Sequence, residues 1–238
     1  MQFECIQAIV ERSIGVISLN RPDKKNALSI QMRREISACL TEWSENEEIR
    51  AVIIRGIGKA FSAGFDLQEF SQLDKIEDIY QSSAQYHRDV WHFSKPIIAA
   101  IDGAALGGGF DLTLLCDIRI CTKAAKFGHP EIKFGANPLY TPLRWIAGTG
   151  TARYLCLSGR IIDAAEAHRL LIVSEVVESD VYERALEIAH TILEAPQGTL
   201  ISTKRYMVDC TEGVFETSFV AEHDVPFETV INKIKAGL

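Results

Sequence analysis

Short runs of apolar, β-branched residues alternate along the chain with longer segments in which apolar residues recur every three or four positions. Periodicity predicts a helix from Ser29 to Trp43, with Ser29 as its N-cap, and one or two helices over 65–93. Short helices are predicted at 152–157 and 164–170, and strands at 6–10, 14–19, 51–55, 97–101, 118–121 and 172–177, the first two as a hairpin. Because helices separate the strands, we predict an α/β fold.

The last part of the chain has a helical pattern only. From residue 181 onward the periodicity is helical, with a break at 196–198. We therefore divide the chain into an α/β core, residues 1–190, and a helical C-terminal region, residues 191–238. Apolar side chains at 215, 219, 227, 230 and 234 need a covering surface. Either the same subunit or a neighbouring one would provide it.

Composition limits the class of protein. The 25 basic and 32 acidic residues give a net charge of -7, which argues against a nucleic-acid-binding surface. No apolar run reaches the roughly 18 residues of a membrane span, and the N-terminal segment lacks the pattern of a secretory signal. The six cysteines form no CxxC pair, which favours reduced thiols. We expect a cytoplasmic protein that binds neither nucleic acid nor membrane.

Three consecutive glycines precede a helical segment in AALGGGFDLTLLCD, residues 104–117. The first N–H groups of a helix lack intrahelical partners, and glycine lets a ligand approach them closely. This turn is a candidate oxyanion site, or else a place where a helix start packs closely against a strand. Asp111 falls in the first helical turn, where an acid is either catalytic or a helix cap.

A second stretch, GKAFSAGFDLQEF at residues 58–70, repeats the order of strand, glycine turn and helix. Two such turns can aim two backbone N–H groups at one carbonyl oxygen, which is a strong catalytic device. Neither stretch contains GxxxxGK[ST] or GxGxxG, so a phosphate loop and a dinucleotide-binding fold are disfavoured.

Four segments together resemble the crotonase family of enoyl-CoA hydratases and isomerases: LNRPDKKNALS, GKAFSAGFDL, KPIIAAIDGAALGGGFDLTLLCDIRI and AKFGHPEIKFG. The resemblance runs from about residue 14 to 177. It implies a crotonase-like spiral of β-β-α units and a helical C-terminal region that forms homotrimers or homohexamers. It also implies an acyl-CoA thioester substrate, with coenzyme A as part of that substrate and no other cofactor.

The resemblance also implies residue roles. The backbone N–H groups of Phe65 and Gly108 correspond to the oxyanion hole, and Asp111 and Glu131 to the two catalytic carboxylates. Substrate and coenzyme A contacts fall on six further residues: Lys24, Lys25, Lys59, Ala63, Gly64 and Leu139. Among these, the Ala63 carbonyl corresponds to a contact with the adenine, and the three lysines lie where phosphates would be.

Two departures from the family pattern affect the expected reaction. Hydratases usually have Glu where this chain has Asp111, and they follow the second Glu with a PGAGG-like loop where this chain reads ANPLYTPLRW. The bulky Leu139 and Tyr140 resemble the isomerase branch. We expect an enoyl-CoA hydratase. The alternatives are an enoyl-CoA isomerase with Glu131 as its sole base, and a weakly catalytic acyl-CoA-binding or scaffolding protein.

The histidines suggest no metal site. His87 and His92, five residues apart in a polar helix, are expected at the surface, and so is His223. His129 stands two residues before Glu131, where it either orients that carboxylate or makes a hydrogen bond at a strand end.

Overall fold

The computed structural model describes residues 3–178 and 180–236 and places ten strands there in two sheets. The strands are β1 Ile6–Glu11, β2 Ile14–Leu19, β3 Ala51–Gly56, β4 Ala60–Ser62, β5 Ile97–Ile101, β6 Ala104–Leu106, β7 Ile118–Thr122, β8 Lys126–Gly128, β9 Ile162–Asp163 and β10 Glu175–Val177. The large sheet has the order β1-β2-β3-β5-β7-β10, and the small sheet has the order β4-β6-β8-β9.

Eleven α-helices occupy the same part of the chain. They are α1 Ile30–Glu45, α2 Leu67–Phe70, α3 Ile76–His92, α4 Gly108–Leu115, α5 Tyr140–Ala147, α6 Thr149–Ser158, α7 Ala164–Arg169, α8 Val181–Leu193, α9 Gln197–Asp209, α10 Glu212–Phe219 and α11 Val225–Lys235. A π-helical turn, Val220–Asp224, joins α10 to α11, and a 3-10 turn, Pro130–Phe134, precedes α5.

The repeated unit of the fold is strand, strand, helix. In β3-β4-α2, β5-β6-α4 and β7-β8-α5, the first strand joins the large sheet and the second joins the small sheet. Both sets, β3-β5-β7 and β4-β6-β8, pair in parallel. The expected spiral of β-β-α units is therefore confirmed.

Elements with a long, regular pattern agree with the prediction. β1 and β2 form an antiparallel hairpin in which Glu11 lies opposite Ile14. The hydroxyl of Ser29 accepts a hydrogen bond from the N–H of Met32 at 3.2 Å and caps α1 as expected. The 97–101 strand has the predicted bounds.

Two predictions about strands were wrong or incomplete. The expected strand at 172–177 forms only over Glu175–Val177, because the N–H of Ile172 bonds back to the carbonyl of Ala167 and continues the turn after α7. The small sheet was missed almost entirely. Its strands contain only two or three residues, too few to show an alternation of period two.

The large sheet is covered on one side by α8, whose Ala185 and Ala189 pack in one cluster with Ile53 and Ile98. A larger core contains side chains of α1, α3 and α4. Because α8 runs from 181 to 193, it crosses residue 190, and the division into two parts at that point stays a prediction.

The aromatic residues of the C-terminal region are covered by the same chain. Phe215 and Phe219 are 1% and 2% exposed, and the ring of Phe215 stacks on Trp91 of α3 at 4.5 Å between centroids. The sequence left open whether the same subunit or a neighbouring one covers these side chains. For Phe215 and Phe219 the covering surface belongs to the same subunit. Val230, by contrast, remains 46% exposed.

No helix within 3–178 and 180–236 combines the length and the apolar character needed to cross a bilayer.

Candidate active site

The predicted site residues follow the ends of three neighbouring parallel strands. β4 ends before Ala63, β6 ends before Gly107 and β8 ends before His129, and β6 pairs with both of the others. Because parallel strands end at the same edge of a sheet, the segments 63–65, 107–111 and 129–131 converge there, where ligands of α/β proteins commonly bind.

The two glycine turns touch each other. Gly64 has φ +94 and Gly107 has φ +52, conformations that side chains rarely adopt. A Cβ atom on Gly64 would lie 2.8 Å from the carbonyl oxygen of Leu106 and 3.4 Å from the backbone nitrogen of Gly108. The backbone of one turn therefore lies against the N–H that begins α4.

The remaining two glycines of the triplet, Gly108 and Gly109, both permit close packing. A Cβ on Gly109 would lie 2.5 Å from the carbonyl oxygen of Ser62, so this glycine permits close packing of α4 on β4. A Cβ on Gly108 would lie 2.7 Å from the ring of Phe65. Close packing therefore accounts for Gly108 and Gly109, while Gly107 supplies the turn that exposes the start of the helix.

Asp111 forms a buried pair with His129. Asp111 is 6% exposed, and its Oδ1 lies 2.8 Å from Nε2 of His129. Gly107 is the N-cap residue of α4, so the capping interpretation of Asp111 is wrong. Burial disfavours the charged form of His129, but the charge and hydrogen bond of Asp111 outweigh burial and raise the pKa of His129 to about 10. The raised pKa favours the protonated, positively charged form of His129 at neutral pH.

Glu131 lies beside this pair with a free oxygen. Its Oε2 is buried and has no hydrogen-bond partner among the described residues, and it lies 3.1 Å from where a Cβ of Gly107 would be. Burial raises the pKa of Glu131 to about 7, with the charge of His129 lowering it and that of Asp111 raising it. A carboxyl group that titrates near neutral pH next to a helix N-terminus is suited to proton transfer.

The same three side chains have the composition of a metal site. One ligand atom each from Asp111, His129 and Glu131 lie within 4.8 Å of one another. Two of those atoms, however, already bond directly to each other at 2.8 Å. The short contact between a buried imidazolium and a carboxylate favours an ion pair over shared coordination of a metal.

These residues line a cavity of about 490 Å³. Its walls include seven residues expected from the sequence: Ala63, Gly64, Phe65, Gly108, Asp111, Glu131 and Leu139. They also include residues that the sequence analysis did not assign to the site, among them Phe70, His87, Glu222, His223 and Phe227.

The expectations for His87 and His223 were wrong. They are 1% and 6% exposed, respectively, and both line the cavity. A signal was present for His87, because it lies four residues after Ser83 and three before Val90, which both face inward from α3. His92 is only partly exposed and pairs with Glu216. His129 bonds to Asp111 rather than to Glu131.

The C-terminal region completes the cavity through Glu222. Its carboxylate accepts hydrogen bonds from the backbone N–H groups of Tyr140 and Thr141, at 2.9 and 3.0 Å. This contact caps α5, which begins in the segment that replaces the family's glycine loop, next to Leu139 at 3% exposure in the cavity wall.

The three lysines expected near coenzyme A are exposed and do not line the cavity. The turn that carries Lys24 and Lys25 lies next to the site, since the N–H of Ala63 donates to the carbonyl of Lys25 at 2.9 Å. Lys59 follows Gly58, where a Cβ would lie 3.0 Å from Pro22. The backbone segments that carry the lysines therefore lie near one another, and Lys25 is hydrogen-bonded directly to Ala63.

Comparison with known proteins identifies the family and agrees with the fold. The chain is 38% identical over 196 residues to a probable enoyl-CoA hydratase of Rhizobium meliloti, covering 81% of this chain and 76% of that protein. It is 36% identical over 200 residues to a short-chain-enoyl-CoA hydratase of Clostridium acetobutylicum, covering 81% and 77%.

A solved structure has the same architecture. The crystal structure of an enoyl-CoA hydratase/isomerase from Xanthobacter autotrophicus Py2 matches with a TM-score of 0.86 at 32% identity, covering 94% of this chain and 88% of that one. The profile of the enoyl-CoA hydratase/isomerase family matches residues 10–238. The chain therefore belongs to the enoyl-CoA hydratase/isomerase family.

Proposed function

We propose that this family member hydrates a 2-enoyl-CoA thioester, or dehydrates the corresponding 3-hydroxyacyl-CoA, with Asp111 and Glu131 as its acid–base pair. The observation that carries the proposal is that two carboxyl groups with different surroundings line one cavity. Asp111 is paired with the His129 imidazolium, whereas the pKa of Glu131 is raised by burial to about 7. Two carboxyl groups with such different surroundings are suited to the two proton transfers that hydration requires.

The thioester carbonyl would lie where the two glycine turns meet. The N–H groups of Phe65 and Gly108 would donate to its oxygen and stabilise the enolate that forms when a nucleophile adds to C3. The closeness of the two turns supports this arrangement, because a Cβ atom on Gly64 would lie 3.4 Å from the nitrogen of Gly108.

The proton steps follow from the two carboxyl groups. Asp111 would take a proton from water as the water oxygen bonds to C3 and the C2–C3 π electrons move to the thioester oxygen. Glu131, in its protonated form, would then donate its proton to C2 as the enolate collapses. Water is consumed, and one proton passes from Glu131 to the product while another arrives on Asp111. Transfer of that proton to Glu131, directly or through solvent, restores the starting state.

Isomerisation of the double bond is the second candidate, and Leu139 favours it. This residue is buried against the cavity at 3% exposure, and the segment around it replaces a loop expected to help hold water. In a dry site, ionised Glu131 would remove a proton from C2 of a 3-enoyl thioester and return it at C4, and Asp111 would not be required.

A third candidate is an acyl-CoA-binding or scaffolding protein with little turnover. Both carboxyl groups and both glycine turns are retained in the cavity, which favours an enzyme.

We further propose that Ala63 and the three lysines contact coenzyme A, and that no cofactor beyond the substrate's coenzyme A is needed. We also propose that the protein forms homotrimers or homohexamers in the cytoplasm.

The direction of the pH profile separates the two reactions. Hydration requires protonated Glu131, so kcat/KM for a 2-enoyl-CoA should fall as pH rises above about 7. Isomerisation requires ionised Glu131, so kcat/KM for a 3-enoyl-CoA should fall as pH drops below about 7.

Two variants sharpen this test. For hydration, Glu131→Gln and Asp111→Asn should each lower kcat by about 10²–10⁴-fold, whereas isomerisation should lose that much only with Glu131→Gln. The exposed Glu178→Gln, which lies outside the cavity lining, is the matched control and should leave rates unchanged. Wild-type rates in Glu131→Gln on every enoyl thioester would exclude both reactions. Binding of acyl-CoA without turnover in the wild type would support the third candidate.

A further inference from the structure

Five aromatic rings form a closed series along the wall of the cavity. Each lines the cavity and each has its centroid 4.9–6.5 Å from the next: Phe65, Phe70, Phe227, His223, His87 and then Phe65 again. We call these five residues the aromatic cage. They come from α2, α3, the turn after β4 and the C-terminal region, so only the folded chain brings them together.

The cage begins at the reacting end of the cavity. The ring of Phe65 lies 2.7 Å from where a Cβ of Gly108 would be, and the N–H groups of these two residues are the proposed oxyanion donors. A group held in the cage would therefore lie close to a thioester carbonyl bound by those donors.

We propose that the aromatic cage is a subsite for a flat aryl group on C3 of the acyl chain, and that the enzyme prefers 3-aryl-2-enoyl thioesters to straight-chain ones. This inference rests on the proposed function for its turnover, but its binding preference does not depend on that function.

The size of the cage fits an aromatic ring. If the five centroids are taken as the corners of a flat, regular pentagon, its centre lies about 5 Å from each of them. A ring at that centre would be within the 4.5–7 Å that separates the centroids of interacting aromatic rings. Neighbouring rings in the series are inclined to one another by 17–65°, so an inserted ring would meet both faces and edges. Stacked and edge-to-face contacts both attract a further aromatic ring, and an alkyl chain gains neither.

The two histidines act in the cage as neutral rings. Nδ1 of His87 lies 2.7 Å from the carbonyl oxygen of Ser83 and must donate to it, which leaves Nε2 to accept from the hydroxyl of Tyr86 at 3.1 Å. Burial, together with the charge of His223, lowers the pKa of His87 well below its ordinary value. Its nitrogens are thus occupied by the protein, and with 1% of the residue exposed it offers a ligand no free polar atom.

His223 is occupied in the same way. Its Nδ1 lies 2.8 Å from Asp224, and its Nε2 lies 2.6 Å from the hydroxyl of Ser83. Serine, histidine and aspartate in this order form the proton relay of many hydrolases, but Ser83 is 0% exposed and does not line the cavity. The relay therefore fixes the orientation of the His223 ring instead of attacking a substrate.

A second layer of rings holds the cage in place. Phe219 stacks on His223 at 4.5 Å and packs on His87 at 5.4 Å, while Tyr80 stacks on Phe227 at 5.6 Å. Such support makes the subsite rigid, and a rigid site favours a rigid ligand, because neither loses much conformational freedom on binding.

A quaternary ammonium group, which other aromatic cages bind, fits less well. The Arg33 guanidinium already lies over Phe65 at 4.6 Å, so a second cation would meet a like charge there. Two carboxylates of the segment that carries His223 are already engaged: Glu222 by the start of α5, and Asp224 by His223 and Arg88.

The test measures binding of saturated thioesters, which cannot be hydrated. Calorimetry with 3-phenylpropanoyl-CoA, hexanoyl-CoA and 4-(trimethylammonio)butanoyl-CoA should show that the phenyl compound binds about tenfold more tightly than either of the others. Phe227→Leu and Phe70→Leu should each reduce that advantage by about three- to tenfold and leave hexanoyl-CoA within about twofold. Val230→Ala, on the same helix as Phe227 and in the same cavity, is the matched control and should preserve the preference.

Equal or tighter binding of hexanoyl-CoA or of the ammonium compound by the wild type would overturn the proposal. An equal loss of affinity for all three ligands in both leucine variants, with unchanged melting temperature, would also overturn it.

Turnover is measured separately with trans-3-phenylpropenoyl-CoA and trans-2-hexenoyl-CoA. If neither reacts while the phenyl binding preference holds, the proposed reaction fails and the aromatic subsite stands. If hexenoyl-CoA is hydrated but the phenyl preference is absent, the subsite fails and the reaction stands.

Discussion

His129 and His87 are both fully buried beside the same cavity, at 0% and 1% exposure, yet their pKa values move in opposite directions. For each, burial penalises the charged ring. His129 has the Asp111 carboxylate at 2.8 Å, which reverses that penalty and raises its pKa to about 10. His87 has a carbonyl, a phenol and a second histidine as neighbours, and its pKa falls well below the usual value.

His223 shows that a neighbouring carboxylate does not by itself keep a buried histidine charged. It bonds to Asp224 at 2.8 Å, but Asp224 is also bonded to Arg88 at 2.8 Å. Burial therefore prevails and the pKa of His223 is lowered. Burial thus favours the neutral ring in the two histidines of the aromatic cage, whereas Asp111 favours the charged ring of His129.

The largest expected effect is on stability when His129 loses its charge. The pKa of His129 in the folded protein, about 10, exceeds the unfolded value of about 6.5, so its contribution to stability is complete below about pH 6.5 and is lost as pH rises through 10. His129→Gln keeps a hydrogen-bond donor but no charge. It should lower the free energy of unfolding by about 3–5 kcal/mol at pH 6, and by progressively less toward pH 10. Urea unfolding at several pH values measures this, and a constant difference across the range would contradict the ion pair.

A smaller effect of opposite pH dependence is expected at His87. Because its folded pKa lies below the unfolded value, its contribution to stability is complete above about pH 6.5 and is lost as pH falls, when the unfolded chain binds the proton. His87→Gln should cost about 1–3 kcal/mol at pH 7 through lost hydrogen bonds. That cost should shrink between pH 6.5 and 4.5. If it grew instead in the same unfolding series, His87 would be charged in the folded protein.

The smallest expected effect is a displacement of the pH profile. The charge of His129 lowers the pKa of Glu131, so His129→Gln should move the Glu131 limb of kcat/KM to higher pH and change the plateau by less than about tenfold. His87→Gln is the control and should leave the limb in place. A limb that stays near pH 7 in His129→Gln would show that His129 does not act on Glu131.

Parts of the site could be predicted from the sequence because they depend on local backbone. Gly64 and Gly107 stand at positive φ, where glycine is strongly preferred, and each opens a strand–turn–helix segment recognisable in the residues. Glu131 and Asp111 were located through the family resemblance. The small sheet that brings their segments together was not predicted, since its strands are too short to carry a pattern.

The sequence by itself determined the long strands and helices, the family and the segments that surround the cavity, because these depend on periodicity and on motifs of adjacent residues. Only the tertiary structure decided the protonation of the histidines, the pairing of His129 with Asp111 and the closure of the aromatic cage by the C-terminal region. Partners of these kinds lie far apart in the chain: 18 residues separate Asp111 and His129, and 140 separate Ser83 and His223. The charge of a buried side chain depends on the groups that it contacts in the folded protein. The local sequence around a polar residue in a helix does not predict a partner that is so distant in the chain.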